Sequence, residues 1–421
     1  MSENESKGNV FAIATMFALF FMIAFVTNFA TPMGVIAKNQ FQASNALSQL
    51  GNAANFIAYL FMGIPGGLIL KRKGYKFTAL AAVAIGFAGV GVQLISGYIS
   101  SFPVYVLGAF IAGFSMCMLN LVTNPLLNTL GGGGKKGNQL VQFGCSLNSV
   151  GATLSPAVLG WLIGEITKDT AFIKAAPALM IAMGIFALAF VIVAFSKIPE
   201  PHMETAEEKA ARLSGQTSVM KDIAATLKFR HFTLGALAIF FYIVIEVGVP
   251  AMGFNYMTEV GKPWYVGGAV AGSVCGAYWF LMMCGRLLGG AVGGKVSSRV
   301  QVSFLASLGI VLLLAAMFAP MKMVTIFGYQ FPLSMAFMVA VGLCTSVMWG
   351  GIFNMAAEGL GKYVPMGSGI FMAMVFGGIL IPVQGLIADK IGILNSYWLS
   401  IGLLAYVLFY ALIGSRVKKS E

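Results

Sequence analysis

The sequence predicts an all-α polytopic membrane protein with twelve transmembrane helices in two parallel-repeat six-helix bundles. Three observations carry that expectation. Of 421 residues, 58% are hydrophobic and 10% are charged, against about 45–50% and about 25% in a soluble domain. Apolar stretches of about 20 residues, enough to cross a bilayer as helix, recur along the whole chain. Short motifs also recur between its two halves at a nearly constant offset. The runs are too uniformly apolar for barrel strands, which alternate over about ten residues. Abundant glycine (52) and methionine (25) suit closely packed membrane helices.

The spans can be drawn in order. They fall at 9–37, 46–70, 77–98, 103–130, 139–164 and 176–197, then at 231–258, 265–292, 301–321, 332–356, 367–389 and 395–415. The start, MSENESKGNVF, lacks a basic flank and runs straight into the first span, unlike a cleaved signal peptide. Residues 198–230 include IPEPHMETAEEKAARLSGQ, whose prolines and mixed charges predict a linker with one surface helix. The expected domains are therefore a bundle over 9–197, a linker over 198–230 and a bundle over 231–416.

The net charge of +12 does not signal nucleic acid, because the cations sit in short loops between apolar runs. An even number of spans sorts most of them to one side. Lys7, Lys71, Arg72, Lys73, Lys76, Lys135, Lys136, the linker cations, Lys295, Arg299, Lys362 and the tail share it. Lys38, Lys168, Lys174, Lys262, Lys322 and Lys390 fall on the other. Cations concentrate in cytoplasmic loops, so both termini and the linker are expected in the cytoplasm of a cell bounded by this membrane, a bacterial inner membrane.

Catalysis and metal binding find no support. The five cysteines lie inside apolar runs, and the histidines are His202 and His231, at no metal-ligand spacing. GGGGKKGN (131–138) lacks the Ser or Thr that a phosphate-binding loop needs after its Gly-Lys pair. The sequence reads as a non-enzyme with no cofactor beyond a coupling ion.

The repeat is parallel. Asn28-x3-Pro32-x-Gly34 answers Glu246-x3-Pro250-x2-Gly253, Asn124 with Gly131 answers Asn354 with Gly361, and Gly151-x4-Pro156 answers Gly377-x4-Pro382. The offsets are 218, 230 and 226 residues. Such a repeat predicts a binding site at mid-membrane between the halves. A fourth correspondence links GGLILKRKGYK (66–76) and GRLLGGAVGGKVSSR (285–299), two glycine-rich helix ends followed by cations.

These loops resemble the signature loop of the major facilitator superfamily, although the family's usual acid is absent from both. Longer strings resemble its fucose permease branch, the fucose–galactose–glucose:proton symporters. They are LNLVTNPLLNTLG in segment 4, LNSVGATLSPAVLG in segment 5, HFTLGALAIFFYIVIEVGVPAMGFNY in segment 7 and MWGGIFNMAAEGLGKYVPMGSGIFMAMVFGGILIPVQGLIAD in segments 10–11. The resemblance implies the superfamily's fold and alternating-access uptake of a sugar or similar neutral solute, driven by H+ or Na+. It does not carry over the branch's acids. Thr31 and Asn120 stand at those positions, and Cys145 replaces a glutamine.

The residues themselves point to one ionic and several neutral groups. Glu246 is the acid that falls mid-segment, where a charge costs about 2.5–3.5 kcal/mol on insertion scales and needs a reason. It is the expected coupling residue, for a proton or for sodium, and a candidate substrate ligand. Neutral candidates are Asn28, Asn120, Asn124, Gln142, Asn148, Asn354 and Gln384, whose amides both donate to and accept from hydroxyls. Tyr242, Tyr278, Trp279 and Trp349 offer aromatic faces for a sugar ring. Arg286 is assigned by its position to the cytoplasmic end of segment 8, leaving no mid-segment cation for an anionic substrate. The expected partners are a neutral sugar and the lipid bilayer, with no nucleic acid, and the protein is expected to be a monomer. The same fold serves drug/proton antiporters, which favour more apolar cavities. It also serves non-transporting receptors, for which the tail SRVKKSE offers no output domain.

Overall fold

The computed structural model describes residues 3–27, 50–163, 175–214 and 218–417. Asn28, Thr31, Pro32 and Lys38 lie outside the described residues. The first half comprises α1 (Glu3–Thr27), α2 (Leu50–Tyr98), α3 (Phe102–Leu130), α4 (Gly134–Ile163) and α5 (Ala176–Phe195). Two short helices follow, α6 (Ala206–Leu213) and α7 (Val219–Leu227). The second half comprises α8 (Arg230–Met257), α9 (Gly268–Gly293), α10 (Ser298–Phe318), α11 (Leu333–Thr345), α12 (Met348–Ala357), α13 (Val364–Ala373), α14 (Ile381–Ile391) and α15 (Tyr397–Phe409).

Among the described residues, nine helices are long and apolar enough to cross a membrane. One of them, α2, joins predicted segments 2 and 3 through Gly74, whose φ of +83° and ψ of 177° are not helical. The kink needs glycine, because L side chains rarely adopt that φ. Large apolar side chains such as Leu188, Phe195, Leu288 and Leu386 remain exposed on these helices, as in a protein whose outer solvent is hydrocarbon. One element was not foreseen. Strands β1 (Met323–Ile326) and β2 (Tyr329–Pro332) pair antiparallel across Phe327-Gly328, both at positive φ, the backbone of a tight hairpin turn.

Packing divides the chain into two compact units. One is Met1–Gly132 with Leu147–Phe229 and Gly359–Phe376, and the other is Gly133–Ser146 with Arg230–Glu358 and Gly377–Glu421. Each unit therefore includes half a helix from the other half of the sequence: α13 joins the first, and the start of α4 joins the second.

Glycine makes both attachments close. In the first unit, a Cβ on Gly63 would stand 2.6 Å from Ala373 N, and one on Gly67 would stand 2.6 Å from Pro365 O. In the second, a Cβ on Gly290 would stand 2.8 Å from the Phe143 ring, and one on Gly293 would stand 3.2 Å from Gln139 Cα. The glycine-rich helix ends in the sequence are thus contact faces, where missing side chains let backbones approach.

The linker holds two short helices rather than the one expected. The Ser218 side chain accepts the Lys221 N–H and starts the second of them. The linker also supplies the acid missing from the loop after segment 2. Glu200 accepts the backbone N–H groups of Tyr75 and Lys76, where the helix restarts beyond Gly74. A carboxylate suits the positive end of a helix. Tyr75 Oη meets His202 Nδ1 at 2.7 Å, and Lys71 pairs with Asp222 at 2.7 Å. Burial pushes the Glu200 carboxyl up and the His202 imidazole down, whereas the hydrogen bond from Arg212 holds Glu204 below the usual carboxylate value.

The glycine contacts can be tested directly. Gly63→Leu and Gly290→Leu should each lose about 1–3 kcal/mol or more to overpacking. Gly276→Ala has no heavy atom within 4 Å of its new Cβ and should leave thermal stability in detergent unchanged. Equal melting temperatures for all three variants would disprove the close contacts.

Candidate functional site

The site forms around a proline in the second unit. Pro250 has no N–H for the carbonyl one turn earlier, which is that of Glu246. Tyr278 Oη on α9 fills the gap, donating to Glu246 O at 3.1 Å. Two further side chains serve the same stretch: Tyr397 Oη donates to Val249 O at 3.0 Å, and Cys275 Sγ lies 3.4 Å from Pro250 O. The carbonyl that Pro250 leaves without its helical partner is therefore taken by a neighbouring helix. Backbone breaks at membrane depth are tolerated when protein groups satisfy them in this way.

The Glu246 side chain is not alone. Arg286 Nη2 lies 3.0 Å from Glu246 Oε1, with side-chain exposures of 10% for Arg286 and 13% for Glu246. This corrects the expectation that no cation stands beside the mid-segment acid. The Arg286 backbone lies about two turns before the end of α9, and its long side chain carries the charge well away from its own Cα. A buried carboxylate is far less costly when paired. The guanidinium also makes two longer contacts at 3.4 Å, from Nε to Ser346 O and from Nη1 to Cys145 O.

Ser346 O is available because segment 10 is broken. Helix α11 ends at Thr345 and α12 begins at Met348. Gln142 Nε2 donates to Val347 O at 2.9 Å, so the start of α4 bonds to the same break. Gly285 lets α9 come close here, since a Cβ on it would meet Ser346 Cβ at 2.6 Å. Thr345 Oγ1 lies 3.1 Å from Tyr278 Oη, and the Tyr242 ring stands 6.5 Å from that of Trp349. Tyr242 is fully buried, and its hydroxyl has no hydrogen-bond partner among the described residues.

Of the residues predicted from the sequence, Gln142, Tyr242, Glu246, Tyr278 and Trp349 come together in this cluster. Arg286, Thr345 and Ser346 were missed; the signal was that a lone buried acid demands a counter-ion. In the first unit, Asn120 Nδ2 donates to Tyr59 Oη at 2.9 Å, and Asn124 Nδ2 reaches Asn120 Oδ1 at 3.2 Å. Three amides bridge helices instead: Asn148 to Phe20 O, Asn354 to Ser298 Oγ and Gln384 to Ser400 Oγ. The acceptor oxygens of Gln142 and Gln384 are buried without a hydrogen-bond partner. Trp279 is 41% exposed, since adjacent helical residues point about 100° apart and Tyr278 takes the inner face.

A helical membrane protein with helices broken or proline-bearing at a buried ionic site has the build of a secondary transporter. The chain belongs to the Major Facilitator Superfamily, whose family pattern matches residues 13–375. It is similar to the glucose/galactose transporter of Brucella abortus, at 28% identity over 419 residues covering 99% of this chain and 97% of that one. It is also similar to the L-fucose-proton symporter of Escherichia coli, at 22% identity covering 92% and 89% of the two chains. A crystal structure of the E. coli fucose:proton symporter superposes with a TM-score of 0.83 at 18% identity, over 97% of this chain and 100% of that one. A structure of the proton:xylose symporter superposes with a TM-score of 0.67.

The ion pair makes an energetic prediction. Arg286→Met strands a buried carboxylate and should cost about 3–5 kcal/mol in stability. Adding Glu246→Gln to Arg286→Met should recover most of that loss. A double variant no more stable in thermal unfolding than Arg286→Met would show that the two charges are not coupled.

Proposed function

We propose that the protein is a symporter that takes up a neutral monosaccharide of the hexose class, driven by a proton that Glu246 carries. Two six-helix bundles, 9–197 and 231–416, alternate access across the linker 198–230. The observation that carries the reading is the buried Glu246–Arg286 pair, set among tyrosines and a tryptophan in a chain similar over nearly its full length to hexose and fucose transporters. Glu246 is the chain's own candidate for coupling, since Thr31 and Asn120 stand where the fucose permease branch carries acids. Gln142, Tyr242 and Trp349 supply an amide oxygen and aromatic faces of the kind that hydroxyls and a sugar ring use. A mixed-charge pair also suits a neutral substrate better than an anion. The protein acts as a monomer in a bacterial inner membrane, with both termini cytoplasmic.

Proteoliposomes with an imposed pH gradient test this. Labelled glucose, galactose or fucose should accumulate when the outside is acidic, without sodium. Glu246→Gln should abolish accumulation at least tenfold while sparing sugar counterflow, because exchange needs no net proton release. Normal, pH-dependent accumulation by Glu246→Gln would remove this residue from coupling, and dependence on sodium would replace the proton.

Orientation has its own check. Single cysteines at Lys262 should react with an impermeant maleimide from outside intact cells, whereas those at Lys73 and Lys135 should react only after permeabilisation. The opposite pattern would invert the topology.

A further inference from the structure

Arg286 occupies a place that the repeat does not duplicate. Moved by the 226-residue offset of Gly151 and Gly377, Gly293 answers Gly67 and Gln139 answers Pro365, so the Gly67–Pro365 and Gly293–Gln139 approaches are the same contact in the two repeats. At the position that answers Arg286, the first repeat has Leu60, a 41% exposed side chain. One attachment is thus apolar at this level, and the other carries a buried ion pair.

That second attachment is a seam along one face of α4. Lys135 Nζ donates to Lys295 O at 2.9 Å. Gln139 packs on Gly293 and Gly294, Gln142 donates to Val347 O, and Cys145 O receives Arg286 Nη1. Positions 135, 139, 142 and 145 are three or four apart, one stripe of a helix. The guanidinium sits at the deep end of the stripe. It is planar and rigid, so the bond from Nη2 to Glu246 sets where Nη1 and Nε point. The carboxylate thereby aims two other donors at backbone carbonyls of α4 and of the break in segment 10.

We infer that Arg286 is the positioning residue that passes the charge of Glu246 to this seam. While Glu246 is ionised, Arg286 is held against Cys145 O and Ser346 O, and the start of α4 stays bound to α9 and α12. When Glu246 takes up a proton, the guanidinium loses its counter-charge in a buried place. It moves towards water and releases both carbonyls, and the seam loosens. The groups facing Glu246 are Tyr242 on its own helix, Tyr278 and Arg286 on α9, and Cys145 on α4; Cys344 on α11 lies beyond Tyr278. Among the described residues no second carboxylate faces Glu246, so the response has one acid to follow. The inference rests on the reading of Glu246 as the proton-carrying residue and adds the path by which that proton moves a helix.

Electron-spin distance measurement on the full-length protein in nanodiscs tests it. Nitroxides go on Lys136→Cys and Lys295→Cys, both exposed, with the five native cysteines replaced by serine or alanine, which leaves the Cys145 carbonyl in place. At pH 8.5 a short distance should dominate. On acidification a longer population should grow, with a ratio rising by up to about tenfold per pH unit, the slope of a single titrating group. Glu246→Gln should show the long population at both extremes of pH. Arg286→Lys keeps the charge but lacks the fork, so it should also lose the short distance and the pH response. Gln142→Leu should lengthen the distance yet keep the pH response. A wild-type distance independent of pH, or a Glu246→Gln protein that stays short throughout, would overturn the inference. If Glu246→Gln loses proton-driven accumulation but stays short, the seam falls and the coupling role stands. If Glu246→Gln accumulates sugar like the wild type, both fall together.

Discussion

The pairing of Glu246 with Arg286 is the constraint on which the second unit is built. Neither charge could be placed there alone, since an unpaired ion at membrane depth costs more than most contacts return. Pairing them fixes α8 against α9. It also fixes the guanidinium plane, so the remaining donors fall on carbonyls of α4 and on the break between α11 and α12. Four elements are thus tied at one point. The supporting features follow from this: Gly285 brings α9 close to the break, Pro250 frees a carbonyl that Tyr278 takes, and Thr345 braces Tyr278.

Glycine does the complementary work outside the site. A membrane helix gains nothing from burying leucine against leucine, because lipid is as apolar as either. Close backbone approach is the available source of van der Waals contact, and it needs small residues in register. Gly63 and Gly67 meet α13, whereas Gly290 and Gly293 meet α4. These faces explain why half of one helix in each sequence half packs with the other unit. They also explain how the signature-like loops can dispense with their usual acid. In the loop after segment 2, Glu200 arrives from the linker and accepts the N–H groups of the restarting helix, the role a carboxylate serves at any helix start.

The fold was legible because it rests on span length, loop charge and repeated Gly and Pro, all local properties of sequence. The site was legible where rarity marks it: one mid-segment acid, and a proline one turn later. It was not legible where geometry decides. Arg286 looked like a loop cation because position along the chain locates a Cα and not the end of a long side chain. Asn354, Gln384 and Gln142 all bond between helices, to Ser298, Ser400 and Val347, and of the three Gln142 does so beside the ion pair. Composition does not separate those positions. Trp279 and Tyr278 are neighbours in sequence and face different surroundings, a consequence of helical phase that a list of aromatics conceals. The hairpin at 323–332 was hidden because Phe327-Gly328 lacks the Asn-Gly or Asp-Gly that announces such turns.

The asymmetry between the repeats gives these facts a direction. Two equivalent attachments with equal chemistry would respond alike to pH, and a proton could not favour parting one of them. In this chain one attachment is held by backbone contact through glycine, which no proton alters. The other ends on a guanidinium whose hold depends on a carboxylate that can be neutralised. On the proposed reading, the titrating group lies in the other repeat from the segments where the branch carries its acids, and a single carboxylate is sufficient because its guanidinium partner is rigid and already bonded to the backbone of α4.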